Sequence, residues 1–192
     1  MIMKILTFIL LIFFNSFAFA DPLKNAIESE IRSDKNVARD VYRHPYETLT
    51  FFGIRPDMTV IELSPGGGWY TEILAHYLKD NGELIAVHFD PSMGDFAKRV
   101  RDNFEKKLAS SSVYDQVKLA SLNSKYSEVE SVDVVVTFRN LHNWIGPNWD
   151  FIIKNSYASL KKGGLLGVVE HIAKEGTSIE NMKKTGYVLS LI

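Results

Sequence analysis

The chain has 192 residues, enough for one domain with a single good core. Its composition, 46% hydrophobic and 23% charged with a net charge of −1, is that of an ordinary globular protein. Only short basic pairs such as Lys106-Lys107 and Lys161-Lys162 occur, which argues against a nucleic-acid partner. The lack of cysteine excludes disulfides, thiolate nucleophiles and zinc–thiolate sites. The five histidines show neither HxxxH nor HExxH spacing, so no metal site is expected.

Residues 1–20, MIMKILTFILLIFFNSFAFA, have the layout of a secretory signal peptide. Lys4 supplies the positive start, Ile5 to Phe14 the apolar run, and Ala18-Phe19-Ala20 the small-residue pattern before a cut at Asp21. The apolar run is short of the roughly 20 residues a membrane span needs. The expectation is a cleaved leader, a single domain over 21–192 with no stable membrane span, and a periplasmic or secreted location.

Residues 24–51 read as helical, with Asp34 able to cap a stretch carrying Val37, Val41 and Tyr42. Arg39 and Arg43 there suit a solvated face or a reach over a site equally well. His44-Pro45 breaks the pattern, and a short helix resumes up to Gly53. A strand follows at Met58–Leu63, then a helix at 69–79, a turn at Asn81-Gly82 and a buried strand at Glu83–Phe89. Next come an amphipathic helix at Asp95–Ser110, a weak strand at Val117–Ala120 and a strong one in VDVVVTF, 132–138. A helix at Phe151–Leu160, a turn at Lys161–Gly164 and a strand at Leu165–Glu170 complete the pattern.

Uninterrupted apolar strands alternating with helices predict an α/β fold with a doubly wound, mostly parallel sheet. Ligands bind such sheets outside the carboxyl ends of the strands, where strand order reverses. Those ends are Glu62-Leu63-Ser64, Val87–Asp90, Phe138-Arg139-Asn140 and Glu170-His171, and three of the four are rich in polar groups.

The first of these ends opens the stretch VIELSPGGGWYTE, residues 60–72. Three consecutive glycines are costly to order, so the loop either lets a ligand approach its backbone or permits close strand–helix packing. The helix starting near Trp69 suits a carboxylate or phosphate at its N-terminus. Glu62 can order the loop or accept hydrogen bonds from a cationic ligand group. Trp69, Trp144 and Trp149 fit either an aromatic pocket or the core. No GxxxxGK[ST] follows, and the nicotinamide fingerprint GxGxxG fits poorly.

The pattern E-x-G-x-G-x-G fits better, aligned as Glu62, Ser64, Gly66 and Gly68, with Ser64 where the first glycine is expected. The stretch resembles motif I of class I S-adenosylmethionine-dependent methyltransferases. NGELIAVHFD, VDVVVTFRNLHNW and SLKKGGLLGVVEH follow in that family's order and spacing. PGGGWYTE together with RNLHNW is further similar to a group of exported bacterial methyltransferases, and the resemblance covers about residues 36–189. It implies a Rossmann-like fold and S-adenosylmethionine as cofactor, bound by Glu62, Ser64, Gly66, Gly67, Gly68, Tyr70 and Asn140.

In that family an acid at the end of strand two binds the ribose hydroxyls. His88 or Asp90 falls there, and only Asp90 is an acid. The adenine-binding acid after strand three is replaced by neutral Ser121 and Asn123. His142 would lie near the transferred methyl, as a base for acceptors that must lose a proton. The function implied is methyl transfer to a small-molecule acceptor; the alternative is a non-catalytic Rossmann-like protein that holds a nucleoside or S-adenosyl compound. Only residues 171–192 follow Glu170, so a sheet lacking the family's last two strands, with an open edge and reduced stability, is expected.

Overall fold

The computed structural model describes residues 21–189; the expected leader at 1–20 lies outside the described residues. The main sheet is built from β1 (Thr59–Leu63), β2 (Glu83–His88), β3 (Lys118–Ser121), β4 (Val132–Phe138) and β5 (Leu160–Val169). All pairings are parallel, in the order β3-β2-β1-β4-β5. This is a Rossmann-like arrangement, and strand order reverses between β1 and β4. No helix among the described residues is long and apolar enough to cross a membrane.

The central strands are apolar on both sides because both sides are covered. Val60 joins a core with Leu49, Ile73, Leu74 and Leu78, while Ile61 and Leu63 face Val135, Trp144 and Ile152 on the other side. Helices α4 (Pro45–Phe51) and α5 (Trp69–Leu78) supply the first layer, and α8 (Trp149–Ser159) belongs to the second. Helix α6 (Asp95–Leu108) buries Ala97, Arg101 and Phe104, one stripe at helical spacing.

The N-terminal segment differs from the expected helix. Residues 22–51 form α1 (Pro22–Ile27), α2 (Asp34–Val37), α3 (Asp40–Arg43) and α4, and Ser33, not Asp34, occupies the cap position of α2. The cause is Arg32, which is buried. Its guanidinium donates to Ile27 O at 2.7 Å, satisfying the end of α1, and to both Asp40 carboxylate oxygens at 2.6 and 2.7 Å. In one continuous helix residues 32 and 40 would lie about 12 Å apart along the axis. With the chain folded back, Val37, Val41 and Tyr42 are exposed rather than forming a buried face.

The turn expected at Lys161–Gly164 lies inside β5. Val132 pairs with Leu160 and Val134 with Leu165, so residues 161–164 bulge opposite Asp133 alone. Asp133 holds the bulge by accepting from Lys161 Nζ at 2.7 Å and from Thr59 N at 2.8 Å. Beyond β5, β6 (His171–Ile172), α9 (Ile179–Thr185) and β7 (Tyr187–Val188) form a small parallel unit of their own. It backs α7 (Leu141–Trp144) at the end of β4.

Candidate active site

The glycine loop leaves β1 through three left-handed residues, Ser64, Gly66 and Gly68. Ser64 has φ 53°, so it adopts the conformation that the glycine expected there would take freely. Its N–H donates to Val87 O at 2.8 Å, while its Oγ is buried without a hydrogen-bond partner. The three glycines then divide. At Gly66 and Gly67 a Cβ would meet open space, and both residues line a cavity of about 560 Å³. At Gly68, with φ 78°, a Cβ would fall 2.8 Å from the Lys107 side chain and 3.1 Å from Phe104. Gly66 and Gly67 therefore cradle, and Gly68 packs.

His88 buttresses this loop from beneath. Its ring is buried, stacks on Phe104 with centroids 4.9 Å apart, and accepts Phe89 N–H at Nδ1 at 2.8 Å. The proton then resides on Nε2, which donates to Gly66 O at 3.2 Å. Burial lowers the imidazole pKa from its ordinary value and keeps the ring neutral.

Glu62 stands on the α5 side of β1, fully enclosed. Thr71 Oγ1 donates to its Oε2 at 2.6 Å, and the other carboxylate oxygen makes no hydrogen bond to the described residues. Burial drives its pKa up to about 7, with the Thr71 bond opposing. A cationic group placed in the cavity would favour the carboxylate form.

The wall opposite comes from the end of β4. Phe138 stacks on Tyr70, centroids 3.5 Å apart and 14° between planes. Arg139 turns left-handed at φ 64°, and the Asn140 amide donates across the strand gap to Ser64 O at 3.2 Å and, on its own side, to Thr137 Oγ1 at 3.0 Å. Asn140 thus clamps the ends of β1 and β4 together. His142, on α7, also lines the cavity; its Nδ1 lies 3.2 Å from Glu170 Oε2, which accepts Leu141 N–H at 3.0 Å as well. With Nδ1–H held by the carboxylate, Nε2 is left as the ring's acceptor.

The N-terminal segment closes the third side. Trp69 Nε1 donates to Asn36 O at 2.9 Å, and the Arg32 and Arg43 guanidiniums lie over its ring at 5.1 and 4.8 Å. Glu72, almost fully buried, pairs with Lys107 and lies 3.9 Å from Arg32 Nε. Helices α5 and α6 and the segment around Arg32 are thereby tied at one point.

Of the residues singled out from the sequence, Glu62, Ser64, Gly66, Gly67, Tyr70, Asn140 and His142 come together around this cavity. Gly68 and Asp90 do not line it. Asp90 spends Oδ1 on Ser92, accepting from its N at 2.8 Å and its Oγ at 2.5 Å, and its carboxylate also faces the Ser121 hydroxyl. Trp69 belongs to the cavity wall, whereas Trp144 is core. Glu170, Lys107 and Arg139 were not singled out. Glu170 and Arg139 announce themselves only as polar residues at strand ends, and Lys107 gives no local signal because α6 brings it in from a distance.

Comparison with known proteins agrees with this fold. A family model described as a methyltransferase domain matches residues 61–168. A SAM dependent methyltransferase from Aquifex aeolicus superposes with a TM-score of 0.58 at 16% identity, over 83% of this chain and 78% of that one. The glycopeptide N-methyltransferase MtfA, complexed with (S)-adenosyl-L-methionine, gives 0.52 at 19% identity, over 69% and 52%. Ribosomal RNA small subunit methyltransferase H of Fusobacterium nucleatum is 36% identical over 62 residues, 32% of this chain. The chain spans about a fifth of the length of that curated relative, 20%.

Proposed function

Because the chain belongs to the methyltransferase-domain family, whose methyl donor is S-adenosylmethionine, we propose that it methylates a small-molecule acceptor in the cavity between β1 and β4. The observation that carries this is the cradle itself. Two glycines open onto a cavity at the switch point, beside a buried carboxylate and an unpartnered Ser64 hydroxyl. Its volume of about 560 Å³ falls within the roughly 300–1,000 Å³ typical of small-molecule sites.

S-adenosylmethionine, when bound, supplies a methyl on a cationic sulfur that leaves as a neutral thioether once the acceptor's lone pair takes the carbon. The protein's task is alignment and exclusion of water. Gly66 and Gly67 offer unshielded backbone, Gly68 fixes the loop against α6, and Glu62 takes a cationic group of the donor. Ser64 provides a free hydroxyl, Tyr70 a stacked wall, and Asn140 holds the two strand ends in register. His88 is committed to Gly66, so Asp90 is the acid available for the ribose hydroxyls. His142, oriented by Glu170, receives at Nε2 the proton of an acceptor O–H or N–H.

We further place the protein outside the cytosol, as one of the exported methyltransferases, on the strength of residues 1–20. Asp21, which the expected cut would make the first residue, caps α1 by accepting Leu23 N–H at 2.9 Å. N-terminal sequencing of protein recovered from the expressing cell should begin at Asp21; a chain beginning at Met1 refutes processing.

Isothermal titration with S-adenosylmethionine and S-adenosylhomocysteine tests the donor site, and heat from neither would end the methyltransferase reading. Transfer of labelled methyl into a low-molecular-weight extract tests the reaction. His142→Ala should lower turnover by about a hundredfold while donor affinity holds. Donor binding without any turnover would favour the non-catalytic alternative.

A further inference from the structure

The cavity wall carries more positive charge than the methyl donor can use. Arg39, Arg43 and Arg139 all line it, and none has a carboxylate within 4.0 Å among the described residues. They arrive from separate places, Arg39 and Arg43 from the folded-back N-terminal segment and Arg139 from the end of β4. Arg43 is half-buried, and its proton affinity is lowered by burial and by repulsion from Arg39 and Arg139. The neighbouring Lys107 is already neutralised by Glu72. Among the described residues Glu62 is the only acid on the lining, and its pKa of about 7 leaves it partly protonated at neutral pH.

S-adenosylmethionine brings a sulfonium and an ammonium against one carboxylate, a net charge of +1. Its carboxylate can satisfy one guanidinium fork. The remaining guanidiniums then face a ligand of their own sign, which is unfavourable in a half-enclosed site. Resting on the methyl-transfer function proposed above, we propose that the methyl acceptor is an oxyanion, a carboxylate- or phosphate-bearing small molecule held at the cavity mouth by Arg39 and Arg139. The anion neutralises the surplus charge, and its nucleophilic O–H or N–H is presented to His142. Arg139 suits this role because it is exposed and lines the cavity from the turn between β4 and α7.

Inorganic phosphate is the probe. It is titrated calorimetrically, at low salt, into the purified protein saturated with S-adenosylhomocysteine, which carries no sulfonium charge. Phosphate should bind the saturated protein, and Arg39→Gln and Arg139→Gln should each weaken it about tenfold, equivalent to about 1.4 kcal/mol. S-adenosylhomocysteine affinity should stay within about threefold, an allowance of less than that tenfold step. Arg139→Gly, which the left-handed backbone there accepts, provides a second variant should Gln disturb the loop, and melting curves check both. Four results overturn the inference: phosphate fails to bind the saturated protein, it competes with S-adenosylhomocysteine, it binds the variants equally well as an adventitious ion only, or the variants lose S-adenosylhomocysteine instead. In each case the donor site stands. Failure of S-adenosylhomocysteine to bind the unaltered protein is a different outcome, and overturns the methyl-transfer function together with this inference.

Discussion

Gly67 separates folding from binding most cleanly. Its added Cβ meets nothing in the protein, yet the residue lines the cradle. Gly67→Ala should therefore melt within a few degrees of the parent while losing donor affinity about tenfold or more, read by calorimetry. Glu62 gives a prediction in pH. Its folded pKa of about 7 is above the ordinary 4.5. The stability it contributes is thus fully present below 4.5 and lost as pH rises through about 7. Between pH 5 and 8 this amounts to roughly 2–3 kcal/mol. Urea unfolding of Glu62→Gln at both pH values should lack that component. Because a cationic donor group favours the carboxylate, donor affinity should rise with pH through the same window.

At the scale of elements, the site depends on two pieces that have no part in the sheet. The segment from Ser33 to Arg43 is held by Arg32, whose side chain is wholly buried between Asp40, Ile27 O and Trp69. Arg32→Ala leaves Asp40 without its cation and Glu72 with Lys107 alone, and should cost about 3 kcal/mol in chemical denaturation. It should also weaken donor binding, since Trp69 and Arg43 form that wall of the cavity. The C-terminal unit of β6, α9 and β7 supports the other end. Gly186 has φ 76°, and a Cβ there would stand 3.4 Å from His142 Cε1. Gly186→Val should strain α9's end and push the imidazole off Glu170, lowering turnover more than donor affinity.

For the molecule as a whole, the exposed sheet edge matters most. Among the described residues β5 is an outer strand, and Leu165 and Val168 on it are exposed. An unguarded edge of this kind invites pairing with a second chain. Leu165→Lys should reduce concentration-dependent self-association in sedimentation while changing unfolding free energy by about 0.5 kcal/mol or less. The cavity is also a whole-molecule property. It exists because β1 and β4 are neighbours although β2 and β3 separate them in sequence, so their two loops diverge and leave a crevice.

The amino-acid sequence by itself determined the alternation of strands and helices, the parallel sheet and the position of the glycine loop. Each of these rests on local pattern: uninterrupted β-branched runs, helical spacing and glycines after an acid. It also pointed to Glu62 and Asn140, because strand ends are visible in one dimension, whereas His142 entered only through the family resemblance. Only the tertiary structure decided that Gly68 packs while Gly66 and Gly67 cradle, since that turns on Lys107 and Phe104 approaching from α6. The folded-back N-terminal segment was hidden for a similar reason. Its apparent helical periodicity lost to a buried Arg32 whose partners satisfy one another only when the chain reverses. His142 acquired a defined orientation in the same way, through a Glu170 that the chain brings back to it just beyond the end of β5. Local pattern encodes which elements form; which side chains meet at a site is set by long-range packing, where a buried charge must find its partner or the fold fails.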